Sequence, residues 1–279
     1  MRLFNFGDAG QERAGMVDAG GVMRDISAHV ARIDAAAIAG GLTASLSQID
    51  TATLPVVPEG ARIGPCVLNP PTFYCIGLNY AAHADEAGMP YPSEPLVFTK
   101  AVSALAGPND DLILPPDAAK GDWEVELGVV IGARGWQVDE DDVLDIVAGY
   151  CVVNDLSERA WQLEGTGQWI KGKSAPGFGP AGPYLVTADE VPEPGNLDLW
   201  LSLNGETLQN SNTSDLIFTI PQIIAHMSRR MVLLPGDIIA TGTPAGVGMG
   251  LKPQRYLRDG DVMELGVQGL GTQRQAVRA

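Results

Sequence analysis

The segment DWEVELGVVIG, residues 122–132, constrains this chain more than any other stretch. It carries two acids into an apolar run that reads as a strand buried on both faces. Period-two geometry puts Glu124 and Glu126 on one face, with Trp123, Val125 and Leu127 facing the other way. A strand with two spaced glutamates is more often a solvated face. Here the apolar continuation argues for burial, and two buried glutamates side by side repel unless a cation joins them.

A third acid is available. YCVVND, residues 150–155, is an apolar strand ending in Asp155. Three carboxylates without a Cys or His cluster make a hard, all-oxygen site, which suits Mg²⁺, Mn²⁺ or Ca²⁺. With a divalent ion, Glu124, Glu126 and Asp155 leave the site at −1. A substrate carboxylate then needs a further cation, and Lys173 or Arg159 can serve.

Lys173 lies in GQWIKGKS, residues 167–174, which satisfies the phosphate-binding loop pattern letter for letter. Such a loop must follow a buried strand and open a helix. Here APGFGPAGP follows and RAWQLEGT precedes, so neither condition is met. GFGPAG, residues 177–182, fails as a dinucleotide fingerprint because it runs into a strand rather than a helix. The plain reading of Lys173 is then a loop lysine in solvent, unless an anion stands near it.

Of the three histidines, His29 and His226 read as structural or surface residues. His83 differs, because Glu86 follows it by three residues in NYAAHADEAG, and a helical turn puts both on one face. A carboxylate holding one ring nitrogen raises the basicity of the other. Taken alone, such a pair is more often a surface contact than a catalytic dyad. HExxH and GxSxG are both absent, which argues against a zinc protease and a serine esterase.

The rest of the chain frames these residues. RLFNF and GMVDAGGVMRDIS read as short strands around a Gly-Gly turn, and HVARIDAAAIAGGL as a helix. Five prolines between residues 55 and 71 mark a boundary, giving a small N-terminal α/β domain over 1–69 and a larger domain over 70–279. Beyond it, FYCIG reads as a strand, DEDDVLDIVAG as a capped helix and FTIPQIIAHMSRRM as an amphipathic helix. GDIIATG and GDVMELGVQGLGTQRQAV read as further strands. Strands dominate without a βαβ rhythm, so the fold class is mixed α+β and β-rich.

Acids outnumber bases, 34 to 18, for a net charge of −16, which repels nucleic acid and anionic membranes. Three cysteines without a CxxC pair suggest neither a disulfide framework nor a zinc knuckle. With no signal peptide or membrane span in evidence, the expected location is cytoplasmic.

Together, CIGLNYAAHADEAG, EPLVFTK, DWEVELGVVIG, AGYCVVNDLSERAWQ, GQWIKGKS and PGDIIATGTPAGVG, in this order, resemble the fumarylacetoacetate hydrolase family over about residues 70–279. The resemblance implies a β-sandwich roll behind a small N-terminal domain, and a homodimer. It implies that Glu124, Glu126 and Asp155 bind Mg²⁺ or Mn²⁺ and that His83 and Glu86 form a catalytic dyad on a lid. Lys173 matches the active-site lysine. Arg159 and Gln162 match positions facing the substrate, and Thr243 a loop residue beside the substrate carboxylate. Many relatives follow GKS with an aromatic or Cys and then Asp-Thr; here Pro176-Gly177 replaces that pair.

The implied activity is metal-dependent hydrolysis of a C–C bond in a 2,4-diketo acid, a small anionic keto acid. The segments resemble most the branch acting on 2,4-diketo-3-deoxy-L-rhamnonate or -fuconate, which gives pyruvate and L-lactate. The alternatives are decarboxylation of oxaloacetate, and hydration or isomerisation of a keto acid, on the same metal-enolate chemistry. A rival from another class is a non-catalytic, Ca²⁺-stabilised binding protein.

Overall fold

The computed structural model describes residues 1–279. Its largest element is a nine-stranded sheet. From one edge the strands run Met23–Asp25, Arg13–Val17, Arg2–Phe6, Leu185–Thr187, Val147–Asn154, Val125–Ile131, Ile238–Ala240, Phe73–Gly77 and Leu96–Lys100. Neighbours are antiparallel except Ile238–Ala240 with Phe73–Gly77. A second sheet orders Glu206–Asn212, Asp198–Leu203, Val262–Val267, Gly271–Arg278 and the short Leu112–Ile113.

The strand Val125–Ile131 is buried along its whole length, as the apolar run predicts. Val125, Leu127, Val129 and Ile131 face a core shared with Leu199, Leu201 and Leu265 of the second sheet. Val130 faces the opposite way, into a core with Phe73, Cys75, Cys151 and Ile238. This two-sided covering is the mixed, strand-rich architecture expected from the sequence.

Residues 1–69 supply three of the nine strands. Arg2–Phe6 pairs with Leu185–Thr187, and Leu3, Ile26 and Ile33 pack in the same core as Phe73 and Cys75. The proline-rich segment therefore separates stretches of chain that share a sheet and a core.

Two helical expectations are corrected. In HVARIDAAAIAGGL, Asp34 caps a helix of only Ala35–Ala39, and a second short helix, Leu42–Leu46, follows the glycines. Ile33 is instead held by tertiary contacts, its N–H donating to Asn5 Oδ1 at 2.8 Å. In DEDDVLDIVAG, Glu140–Ile146 forms 3₁₀ turns, and Val147 leaves to pair with Ile131. Asp139 makes no side-chain cap, and sheet pairing outweighs local helical preference. The amphipathic helix does form, over Ile220–Ser228, started by a Thr219–Gln222 capping box with Pro221 in its first turn.

Candidate active site

Glu124 and Glu126 stand at the start of Val125–Ile131, and Asp155 lies just past the end of its neighbour, Val147–Asn154. The register pairs Glu126 with Val153, and the Asp155 N–H donates to the Glu124 carbonyl at 2.9 Å. Two central strands thus bring Asp155 to Glu124 and Glu126 although it lies about 30 residues further along the chain. A ligand oxygen from each can be chosen so that all lie within 4.8 Å of one another, and exposure is 5%, 1% and 1%.

Cations answer most of this charge. Lys173 Nζ donates to Glu124 Oε2 at 2.7 Å and to Asp155 Oδ2 at 2.8 Å. Lys100 pairs with the other Asp155 oxygen and donates to the Leu156 carbonyl at 2.9 Å. Arg159 lies 2.7 Å from Glu124 Oε1, and its Nε donates to Asp122 at 2.8 Å. Burial tends to raise the Glu124 pKa, but Lys173 and Arg159 overcome it and hold the acid below the usual carboxylate range. Lys173 is likewise held above its ordinary value, because Asp155 and Glu124 outweigh its burial. Lys173 is thus 1% exposed and paired with Glu124 and Asp155, so the nearby anion that sets it apart from a solvated loop lysine is present.

Glu126 is the exception. It has no side-chain cation, and its one hydrogen bond comes from the Gly242 N–H at 2.7 Å. Gly242 presents that N–H at φ +107°, where a side chain would meet Asn79. Burial, with Asp155 and Glu124 nearby, pushes the Glu126 pKa well up. Four carboxylates (Asp122, Glu124, Glu126 and Asp155) face three cations (Lys100, Arg159 and Lys173), a net of −1. An all-oxygen donor set with one uncompensated acid fits a hard divalent cation, which would bring the cluster to +1.

The dyad sits above this cluster. Helix Ala81–Ala87 follows the strand Phe73–Gly77 through Leu78, which takes φ +53° at the turn. His83 Nδ1 lies 3.3 Å from Glu86 Oε2, and the Gly246 N–H donates to both Glu86 oxygens at 3.0 and 3.2 Å. The same acid therefore orients the histidine and fastens the helix to the 242–250 loop. Thr243 is buried; its hydroxyl donates to the Val125 carbonyl at 3.0 Å and accepts from Gln209 at 2.8 Å. Gln162 accepts from Arg159 at 3.0 Å.

A cavity of about 180 Å³ collects these parts. Glu124, Glu126, His83, Lys173, Arg159 and Gln162 line it, with Thr243 at one side. Asp155 stays behind Lys173, and Glu86 behind His83. A larger cleft of about 770 Å³ runs between the N-terminal segment and residues 102–116 but reaches none of Glu124, Glu126 and Asp155. Pro176 and Gly177 line that cleft, away from the active-site cavity.

The sequence reading passed over two buried residues of the site. Lys100 closes the strand Leu96–Lys100, and a lysine ending a mostly apolar strand was its only local signal. Asp122 accepts from Arg159 and from the backbone N–H groups of Trp123, Gly248 and Met249 at 2.6–3.0 Å. It thereby ties the arginine to the loop that holds Glu86.

Residues 72–278 match the model of the fumarylacetoacetate hydrolase C-terminal family. A Burkholderia cenocepacia protein named as a hydrolase, without a stated substrate, is 54% identical over 279 residues, covering 100% of this chain and 99% of its own. Among solved structures, the fumarylacetoacetate hydrolase of Exiguobacterium antarcticum is 35% identical with a TM-score of 0.90, covering 100% of this chain and 99% of its own. The maleylpyruvate hydrolase of Sphingobium sp. SYK-6, in complex with manganese(II) and pyruvate, is 30% identical over the same shares, with a TM-score of 0.83. A 5-carboxymethyl-2-hydroxymuconate delta-isomerase of Mycobacterium smegmatis is 31% identical with a TM-score of 0.78, covering 100% and 98%.

Proposed function

The chain belongs to the fumarylacetoacetate hydrolase family, and from that premise we propose that it hydrolyses the C3–C4 bond of a 2,4-diketo acid and releases pyruvate. The observation that carries this reading is a buried acid trio with one uncompensated member, in the same cavity as a His–Glu pair. Glu124, Glu126 and Asp155 would hold Mg²⁺ or Mn²⁺. When bound, the ion supplies positive charge that polarises the keto acid and stabilises enolate character in the transition state.

The chain's own groups account for the remaining steps. Glu86 holds His83 through Nδ1, which leaves Nε2 to take a proton from water. The water oxygen bonds to C4, the C3–C4 bond breaks, and its electron pair passes to C3, which is then protonated to give pyruvate. The second product is a carboxylic acid carrying the water oxygen. Lys173 is a fixed positive charge at the cavity floor and would bind the keto-acid head. Arg159, Gln162 and Thr243 would shape the substrate's seat. The Ala81–Ala87 helix, fastened through Glu86, would keep bulk water out during the reaction.

Within this class we favour 2,4-diketo-3-deoxy-L-rhamnonate or -fuconate, giving pyruvate and L-lactate. The segment resemblance supports it, as does a cavity of about 180 Å³, which suits a short acyl part. The isomerase relative favours a second reading, since enolate stabilisation also serves double-bond migration.

Metal-stripped protein, assayed for pyruvate with and without Mg²⁺ or Mn²⁺, separates these readings. Metal-dependent pyruvate plus a carboxylic acid, identified by mass, is the expected result with the diketo acid. Pyruvate and CO₂ from oxaloacetate alone would make it a decarboxylase. An ultraviolet change in a hydroxymuconate without pyruvate release would make it an isomerase.

A further inference from the structure

The active-site cavity sorts its lining by depth. Its floor is charged, with buried Glu124, Glu126, Arg159 and Lys173. Its mouth is apolar: Met89 and Leu163 are 43% and 46% exposed, and Trp169 and Met249 are half-buried. Phe98 joins the two levels. Its ring lies 5.3 Å from Lys173 Nζ and packs edge-on against Trp169 at 5.2 Å. Trp169 in turn fills the space over Gly77, where a Cβ would lie 2.6 Å from the indole.

Both floor cations are held at the head end of the cavity by buried acids, Arg159 beside Asp122 and Glu124, and Lys173 beside Glu124 and Asp155. None of the four mouth residues carries positive charge; Lys252 lines an adjoining cavity that shares His83, Ala87 and Met249 with this one. A keto acid seated head-down would place its tail among Leu163, Trp169, Met249 and Met89. A second carboxylate there would leave water without a cation to meet it, in a chain of net charge −16. An uncharged, weakly polar tail would instead gain buried apolar area.

Resting on the diketo-acid reading above, we infer that the site selects monoanionic keto acids with a short, uncharged, weakly polar tail and rejects those carrying a second carboxylate. Leu163, Trp169 and Met249 are the selecting residues. A lactoyl-sized tail ending in a methyl group meets this requirement.

The test separates selectivity from reaction. Isothermal titration of metal-loaded protein compares 2-oxohexanoate with 2-oxoadipate, which match in length, differ by one carboxylate and lack a 4-keto group. The monoacid should bind at least about tenfold more tightly. Leu163→Arg, at an exposed position that tolerates the change, should shrink or reverse that ratio. Equal or tighter binding of 2-oxoadipate by the parent protein would overturn the inference, as would an unchanged ratio in Leu163→Arg. In parallel, pyruvate release from 2,4-dioxohexanoate tests the reaction itself. Selective binding without pyruvate would support the selectivity while overturning the hydrolase reading. Pyruvate release together with indifferent binding would do the opposite.

Discussion

At the scale of single residues, Glu126 shows how a functional acid is kept at a cost in stability. In the metal-free protein its raised pKa means that folding is increasingly disfavoured as pH climbs above the ordinary carboxylate range, until the raised value is passed. Glu126→Gln removes that charge but keeps an oxygen to accept from Gly242. Metal-free Glu126→Gln should therefore melt about 2–4 °C above the parent at pH 7 for each kcal/mol gained, with the advantage vanishing near pH 3. Its melting point should no longer rise on adding Mn²⁺. A parent-like response to Mn²⁺ would remove Glu126 from the metal site. His83→Ala should do the reverse, retaining Mn²⁺ affinity while turnover falls about 10²- to 10⁴-fold. Unchanged turnover would favour a non-catalytic role for the site. Glu124, Glu126 and Asp155 were legible because strand periodicity and a strand's end are local signals. Lys100 and Asp122 were not, because their partners Asp155 and Arg159 lie 55 and 37 residues away.

At the scale of elements, the seven-residue helix carrying His83 is too short to be stable alone and depends on what it is fastened to. Glu86 provides that fastening at Gly246, and Asn79 braces the helix entry by donating to the Phe218 and Thr241 carbonyls at 3.1 and 2.8 Å. Gly250 lies under the Glu86 side chain, where a Cβ would stand 2.1 Å from Cδ. Gly250→Ala should therefore displace Glu86 and tilt the dyad, lowering kcat/KM by about 10- to 100-fold with little change in melting temperature. Parent-like kinetics would show that the helix does not depend on this seat. The sequence showed this helix and its His–Glu spacing, but not the fastening, which is made by one backbone N–H 160 residues away. The same limit explains the misread DEDDVLDIVAG segment, whose fate was decided by pairing of Val147 with Ile131 rather than by its own composition.

At the scale of the molecule, the site depends on two central strands being held from both sides. Residues 1–69 extend one end of the large sheet and cover part of its second face. We propose that a chain beginning at residue 70 will not fold to a metal-binding state, because it exposes the Leu185–Thr187 edge and the apolar surface around Cys75 and Ile238. Cooperative unfolding and parent-like Mn²⁺ binding by that truncation would show the larger region to be self-sufficient. The alternation of strands and the lack of a βαβ rhythm made the strand-rich class legible. The joining of the N-terminal strands to Leu185–Thr187 was not, since it links segments more than 180 residues apart.

The most direct test of the central claim follows the oxygen of water. Metal-loaded protein is supplied with a 2,4-diketo acid in ¹⁸O-labelled water, and both products are weighed. Hydrolysis by a His83-activated water predicts one ¹⁸O in the carboxylate of the acyl product, and loss of that product in His83→Ala. An acyl product without the label, or conversion of the diketo acid without C–C cleavage, would contradict the hydrolase assignment.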